Sequence, residues 1–360
     1  MSSTPEQIRA VLAEVIDPET NKKLGAGLKD SEVQLNGSEL SLTVALGYPL
    51  HNGLEPLRKL IETALQPLGI VLKQLSATQR IATHAVQRSL KPMPNIRNII
   101  AVASGKGGVG KSTTAVNIAL ALSSQGARVG LLDADIYGPS VPIMLGLSGK
   151  PESLDGKTME PLTGHGLQAN SIGFLIEEDA PAIWRGPMVS QALEQLLRQT
   201  NWKDLDYLIV DMPPGTGDIA LTMAQKVPLT AAVIVTTPQD LALADARKGL
   251  RMFQKVEVPV IGIVENMSVH ICSNCGHAEP IFGQHGGRDM ATEFKLPWLG
   301  ALPLALDIRT QTDSGTPSVI ADAQGTIAAL YQDIAHKIAT NVAALPRDMS
   351  AKMPSVVVRQ

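Results

Sequence analysis

Apolar and polar positions follow two different rhythms along this chain. Near the start, Ile8, Val11, Leu12 and Val15 recur at helical spacing and predict a helix over 4–15. SEVQLNGSELSLTVAL (31–46) alternates apolar and polar around Asn36-Gly37, which predicts two strands joined by a tight hairpin. Leu57, Leu60, Ile61 and Leu65 share one face of a helix over 54–66, and GIVLKQL (69–75) reads as a further short strand. Together these predict a small α+β unit over residues 1–76. Residues 77–96 have weak periodicity and carry Pro92 and Pro94 near their end, the pattern of a linker; a helix packed on either domain is the alternative.

From residue 97 the rhythm changes. NIIAVAS, RVGLLD (128–133), LDYLIVD (205–211), AAVIVTT (231–237) and VPVIGIVEN (258–266) are near-continuous apolar runs, with helix-like segments between them. Runs of that kind suit strands buried on both faces. Residues 97–360 are therefore expected to form an α/β domain, a mostly parallel sheet covered by helices on both faces.

Composition adds exclusions. Hydrophobic residues make up 44% of the chain and charged residues 18%, which describes a core-forming protein. The net charge of −3 gives no general pull toward nucleic acid or acidic lipid. No apolar run reaches the roughly 18 residues of a membrane helix, and MSSTPEQIRAVLAEV lacks the basic and apolar regions of a secretory signal. A soluble, cytoplasmic protein that binds neither nucleic acid nor membrane is the expectation.

The candidate chemistry begins at GKGGVGKST (105–113). An apolar strand precedes it and a helix follows. Gly105, Gly107, Gly108 and Gly110 let backbone N–H groups curl around phosphate oxygens, with Lys106 and Val109 interleaved. Lys111 is placed to reach the β- and γ-phosphates of ATP, Ser112 to put its hydroxyl on Mg²⁺, and Thr113 to extend the helix start that faces the phosphates. Other strand ends supply acids: Asp133 and Asp135 in LLDADIYGPS, and Asp211 in LIVDMPPGTGD. A buried strand ending in Asp suits a water-mediated Mg²⁺ contact, which favours Asp211 as the metal residue. Of Asp133 and Asp135, one is expected to orient the attacking water and the other to hold a metal-bound water, with Asp135 assigned the water and Asp133 the metal.

GKGGVGKST with DADIYGPS and DMPPGTGD resembles the deviant Walker A P-loop ATPases, which include partition and division-site ATPases. The resemblance implies an answer to why two lysines lie in one loop. Lys111 serves its own nucleotide, and Lys106 reaches the phosphates held by the partner subunit of a homodimer. It also implies that Asn266 in VENM contacts the base and that LPLALDIR (302–309) forms the later base-and-ribose loop. Arg185 in WRGPMVS belongs to a motif shared with close relatives and carries no role beyond a switch or interface contact.

Only two cysteines occur, Cys272 and Cys275, in HICSNCGHAEPIFG. Three chemistries compete: a redox dithiol, half of a zinc site completed by His270, His277 or His285, and an iron–sulfur site. A cluster needs four thiolates, and a two-fold axis between identical chains supplies them. With the cysteine loop added, residues of about 95–345 closely resemble the Mrp/NBP35 group of iron–sulfur cluster carrier ATPases, and DPET (17–20) resembles a marker of the MIP18-type domain that precedes this ATPase in bacteria. The resemblance implies a [4Fe-4S] cluster bridged between Cys272 and Cys275 of two subunits and passed to apoproteins, with ATP binding and hydrolysis gating loading or release. The small domain has no cysteine to hold a cluster itself. A zinc-stapled regulatory ATPase and a partition-type spatial organiser are the alternatives; the tail AALPRDMSAKMPSVVVRQ lacks the basic amphipathic helix of the membrane-bound organisers.

Overall fold

The computed structural model describes residues 4–25, 28–175, 186–272 and 274–349, and the chain divides into two units. The first comprises residues 1–82 together with 339–345. Thr4 caps helix α1 (Pro5–Leu12) in a reciprocal capping box with Gln7, which fixes where the helix starts. Strands β1 (Val33–Asn36) and β2 (Glu39–Leu46) are antiparallel, Asn36 facing Glu39 across a two-residue turn in which Gly37 takes φ 64°. The alternation along β2 buries Leu40, Leu42, Val44 and Leu46 under helix α2 (Glu55–Leu65) and α1, each side chain stabilising by about 1.5–3 kcal/mol. Strand β3 (Val71–Gln79) adds in parallel to β2. The DPET segment is structural: buried Asp17 accepts from Tyr48 Oη at 3.0 Å, Thr20 Oγ1 at 2.7 Å and Glu19 N–H at 3.1 Å.

The second unit carries the large sheet. In chain order its elements are β4 (Ile96–Ser104), α3 (Lys111–Ser124), β5 (Val129–Asp133), α4 (Val141–Met144), β6 (Leu162–Gly164), β7 (Leu167–Ser171), α5 (Gly186–Arg198), β8 (Leu205–Asp211), α6 (Asp218–Lys226), β9 (Ala231–Thr236), α7 (Asp240–Lys255), β10 (Val260–Glu265), the short pair β11 (His270–Ile271) and β12 (Ala278–Glu279), α8 (Gly286–Glu293), β13 (Trp298–Ala301), α9 (Leu306–Asp313), α10 (Ser318–Ala321) and α11 (Thr326–Ala344). Eight strands run in the order β13-β10-β9-β4-β8-β5-β7-β6, all parallel except the β6–β7 edge pair. Every residue of β5, β8, β9 and β10 is buried, as the uninterrupted apolar runs require. Helices α5 to α8 close one face through Leu193, Met223, Leu250, Phe253 and Met290. Helices α3, α10 and α11 associate with one another, Gln125 donating to the Gln332 carbonyl and Asn117 Oδ1 accepting from Val319 N–H.

The segment expected to be a linker is short of that. Strand β3 runs to Gln79, and residues 83–95 belong with the second unit: His84 pairs with Asn98 at 2.9 Å, and Gln87 donates to the carbonyls of Ala224 and Val227. These polar side chains are buried because they are satisfied, which no periodicity reveals. The unit boundary differs at the other end too, since residues 339–345 group with the first unit, where Lys22 Nζ donates to the carbonyls of Ala343 and Leu345.

Candidate nucleotide and metal site

Parallel strands bring their carboxyl ends to one edge of the sheet, where ligands of open α/β folds bind. Ser104, Asp133, Asp211, Thr236 and Glu265 end β4, β5, β8, β9 and β10 at that edge. Residues 105–110 span from β4 to α3, with Gly108 at φ 79° and Gly110 at φ 78°, the left-handed conformation that favours glycine. Ser104 Oγ donates to the Lys106 carbonyl at 2.9 Å. Gly105 lies against the backbone of α7: a Cβ there would stand 2.1 Å from the carbonyl carbon of Asp245. Gly105→Ala is therefore expected to lower stability by about 1–3 kcal/mol or more in the nucleotide-free protein, read as a fall in Tm, because backbone cannot yield as a side chain would.

Lys111 opens α3 and points back into the loop. Its Nζ lies 2.5 Å from Asp211 Oδ1, 3.8 Å from Asp135 Oδ2, and donates to Ser112 Oγ at 3.2 Å. Lys111 is only 6% exposed and Asp211 not at all, so each neutralises the other in a site that water scarcely reaches. Asp211 Oδ2 is buried with no hydrogen-bond partner. An oxygen left in that state is costly unless a cation or water satisfies it. The Ser112 hydroxyl meets the same Lys111 ammonium, so the two residues offer hard oxygen donors of the kind Mg²⁺ takes, and they fit that ion.

Asp133, the other acid expected to serve the metal, is held by several donors. It sits directly across from Asp211 in the β5–β8 register and is fully buried. Its Oδ1 accepts from Asp135 N–H at 3.1 Å; its Oδ2 accepts from Ser140 N–H at 3.1 Å, Val141 N–H at 3.2 Å and Ser171 Oγ at 3.0 Å. Burial first, and the Asp211 carboxylate second, push its pKa up to about 7 against the pull of those donors. Its oxygens are thus committed to pinning the turn over 134–141. Asp135 is less buried, its side chain 15% exposed, with burial raising its pKa and the Lys111 ammonium opposing that shift.

Asn266, expected to contact the base, reaches the phosphate loop. Its Nδ2 donates to the Val109 carbonyl at 2.9 Å, filling the space a Cβ on Gly110 would need, so the side chain braces the phosphate loop. Val109 is buried, Gly107 has open space around it, and Thr113 is half-buried with its carbonyl accepting from Asn117 Nδ2. Lys106 is half-buried, and among the described residues no carboxylate lies within ion-pair distance of it. Gly215, within DMPPGTGD, donates its N–H to the Ser104 carbonyl at 3.0 Å, docking that segment beside the loop. In LPLALDIR, Leu302 N–H donates to the Glu265 carbonyl and Leu304 N–H to the Val269 carbonyl. Arg185 lies outside the described residues.

The two cysteines sit at the tip of the β11–β12 hairpin. Cys272 N–H donates to the His277 carbonyl at 2.9 Å, and Gly276, at φ 71°, donates back to the Cys272 carbonyl at 2.8 Å. The backbone N–H groups of Asn274 and Cys275, with the Cys275 thiol, bear on the Cys272 sulfur and hold its pKa below the ordinary thiol value. Both thiols are free, Cys272 half-buried and Cys275 exposed. Among the described residues no group of three or more His, Cys, Asp or Glu assembles, so His270, His277 and His285 do not complete a metal tetrahedron within the chain. His270 faces Glu279 in the hairpin register, and His285 occupies the N-cap of α8.

Glu265, at the same sheet edge but bonded away from the phosphate loop, is a residue the sequence reading passed over. It carries the same mark as Asp133 and Asp211, an acid ending a buried apolar strand, and its Oε2 accepts from Gly287 N–H at 2.6 Å. No helix of the described residues is long and apolar enough to cross a membrane.

Comparison with known proteins agrees with this geometry. A family profile described as "iron-sulfur cluster assembly protein" matches residues 5–71. The iron-sulfur cluster carrier protein of Escherichia coli (strain K12) is 47% identical over 347 residues, covering 95% of this chain and 94% of that protein. The iron-sulfur cluster transfer protein NUBPL of Mus musculus is 50% identical over 275 residues, covering 75% of this chain and 86% of that one. Among solved structures, a nucleotide-binding protein in complex with ADP from Archaeoglobus fulgidus is 36% identical with a TM-score of 0.56, covering 64% of this chain and 90% of that chain. The cell division ATPase MinD of Pyrococcus furiosus, 21% identical with a TM-score of 0.50 and covering 67% of this chain and 98% of its own, shares the fold. A profile described as "NUBPL iron-transfer P-loop NTPase" matches residues 95–339, about two thirds of the chain, and the protein belongs to that family of P-loop NTPases.

Proposed function

We propose that this protein is a cytoplasmic, homodimeric ATPase that carries a [4Fe-4S] cluster as cargo between two Cys272/Cys275 pairs and delivers it to apoproteins. The observation that carries the reading is the cysteine hairpin: two exposed or half-exposed thiols, one of them acidified, with no further ligand among the described residues. Two thiolates are half of what a cluster takes, and a second copy of the chain supplies the other half. A redox dithiol of the thioredoxin kind opens a helix, whereas this pair lies in a hairpin turn.

The nucleotide site acts on the same dimer. ATP phosphates lie in the 105–110 loop, and Lys111 transfers its ammonium from Asp211 to the β- and γ-phosphates. That exchange frees Asp211 and Ser112, the residues that would hold Mg²⁺, and the ion would supply positive charge for the phosphates there. Asp135 accepts a hydrogen bond from the attacking water and orients it. Lys106, without a carboxylate of its own, extends to the partner's phosphates and adds a second cation there. Asn266 keeps the Val109 carbonyl turned away from the phosphates.

Lys106→Ala is expected to lower ATP turnover by about 10²-fold or more while nucleotide affinity changes little. Phosphate release and fluorescent-nucleotide titration measure the two separately, and unchanged turnover would remove Lys106 from the mechanism. The function itself is tested by anaerobic reconstitution with iron and sulfide, reading both elements, and zinc, against molar mass. About four irons and four sulfides per dimer are expected. One zinc per dimer and no sulfide would make the hairpin a structural staple and end the carrier reading.

A further inference from the structure

The cysteine hairpin lies between the end of β10 and the start of α8; its upstream end is bound to the phosphate loop and its downstream end to the end of β10. Consecutive strand residues point to opposite sides, and here both sides are used. Asn266 Nδ2 grips the Val109 carbonyl at 2.9 Å, while buried Glu265 accepts from Gly287 N–H at 2.6 Å in the first turn of α8. A carboxylate at that place also sits favourably on the positive end of the helix. A second connection runs through α7. A Cβ on Gly105 would stand 2.1 Å from the Asp245 carbonyl carbon, and a Cβ on Gly286 would stand 2.5 Å from Leu243 Cδ1 and 2.9 Å from the Pro238 carbonyl oxygen. Helix α7 is therefore wedged between the first glycine of the phosphate loop and the first glycine of α8.

We propose that Glu265 is the positioning residue through which nucleotide in the phosphate loop controls the exposure of Cys272 and Cys275. The inference rests on the reading that the loop binds ATP, and deepens it by naming the path of control. Close-packed contacts of this kind pass on small displacements instead of absorbing them. When Val109 and Gly110 adjust to phosphate, Asn266 follows. Glu265, its chain neighbour, then carries the start of α8, and with it the downstream end of the hairpin. Without the Glu265–Gly287 bond, the helix start is released from the strand end and only the packing of α7 still joins it to the loop.

The chain has only two cysteines, so thiol chemistry reports this hairpin alone. The experiment measures iodoacetamide alkylation rates of the reduced, cluster-free full-length protein, alone and with saturating Mg²⁺–ADP or a non-hydrolysable Mg²⁺–ATP analogue. In the wild type the rate is expected to change by about fivefold or more between nucleotide states, the lower range of ordinary allosteric coupling. Glu265→Ala is expected to cut that change to about twofold or less, below the fivefold lower end of ordinary coupling, while fluorescent-nucleotide affinity stays within about twofold of wild type. Glu265→Gln, whose amide oxygen accepts the same N–H, is expected to restore it. A wild-type rate indifferent to bound nucleotide overturns the proposal, as does a Glu265→Ala protein that keeps the full response. Should Glu265→Ala fail to fold, Gly287→Ala makes the same comparison with the same two outcomes, since its Cβ would press to 3.1 Å from Glu265 Oε2. No cluster enters the measurement, so a failed coupling leaves the carrier reading standing, and a failed reconstitution leaves the coupling standing.

Discussion

Lys111→Ala loses ATP hydrolysis by about 10³-fold or more, the largest effect expected of any single substitution here. The side chain has two duties, and the variant forfeits both. It is the cation placed for the β- and γ-phosphates, and in the nucleotide-free chain it is also the counter-ion 2.5 Å from Asp211. Removing it leaves a fully buried carboxylate without compensation, which costs about 3–5 kcal/mol when a buried pair is broken from one side. The variant should therefore be less stable as well as inactive. Adding Asp211→Asn should recover most of the stability and none of the turnover. Urea unfolding and phosphate release separate the two effects. If Lys111→Ala alone unfolds at the wild-type midpoint, the pair does not bear on stability as argued.

Cys272→Ala is expected to reduce iron and sulfide after reconstitution from about four of each per dimer to almost none. The loss is disproportionate because a dimer deprived of one cysteine per chain retains only half the ligands, and no His, Cys, Asp or Glu among the described residues stands by to replace them. Cys275→Ala should behave in the same way. The fold should survive either change, since the hairpin tip is exposed or half-exposed and held by main-chain bonds that alanine keeps. Elemental analysis with circular dichroism checks both statements, and a full complement of iron and sulfide in Cys272→Ala would mean other ligands hold the cargo.

Much of the second unit was legible in the sequence because burial on both faces forces Val, Ile and Leu into unbroken runs, and β4, β5, β8, β9 and β10 all show them. The phosphate loop was legible for a related reason: its positive-φ turns at Gly108 and Gly110 demand glycine. The β6–β7 edge pair was missed because its strands are three and five residues long, and the alternation of Leu167 and Ala169 with Gln168 and Asn170 is too short to stand out. Residues 83–95 read as a linker because His84 and Gln87 look like surface residues until their partners are known. The surroundings of Asp133 were hidden in the same way. Its type and position were plain, but its role depends on Ser171 and on two backbone N–H groups beyond a turn, none of which a local pattern connects. Asn266 was found and its first contact, with Val109, was not.

The bonds from Lys22 to the carbonyls of Ala343 and Leu345 have a consequence for biosynthesis. Domains generally fold as they leave the ribosome, the N-terminal one first. Here the first-made unit takes in residues 339–345, which emerge only after nearly the whole chain has been translated. Its lysine must therefore wait, solvated, through synthesis of the entire sheet, and the small unit is closed last although it is made first. A message that stops short of codon 339 would leave the large sheet's strands encoded in full and the N-terminal unit unfinished.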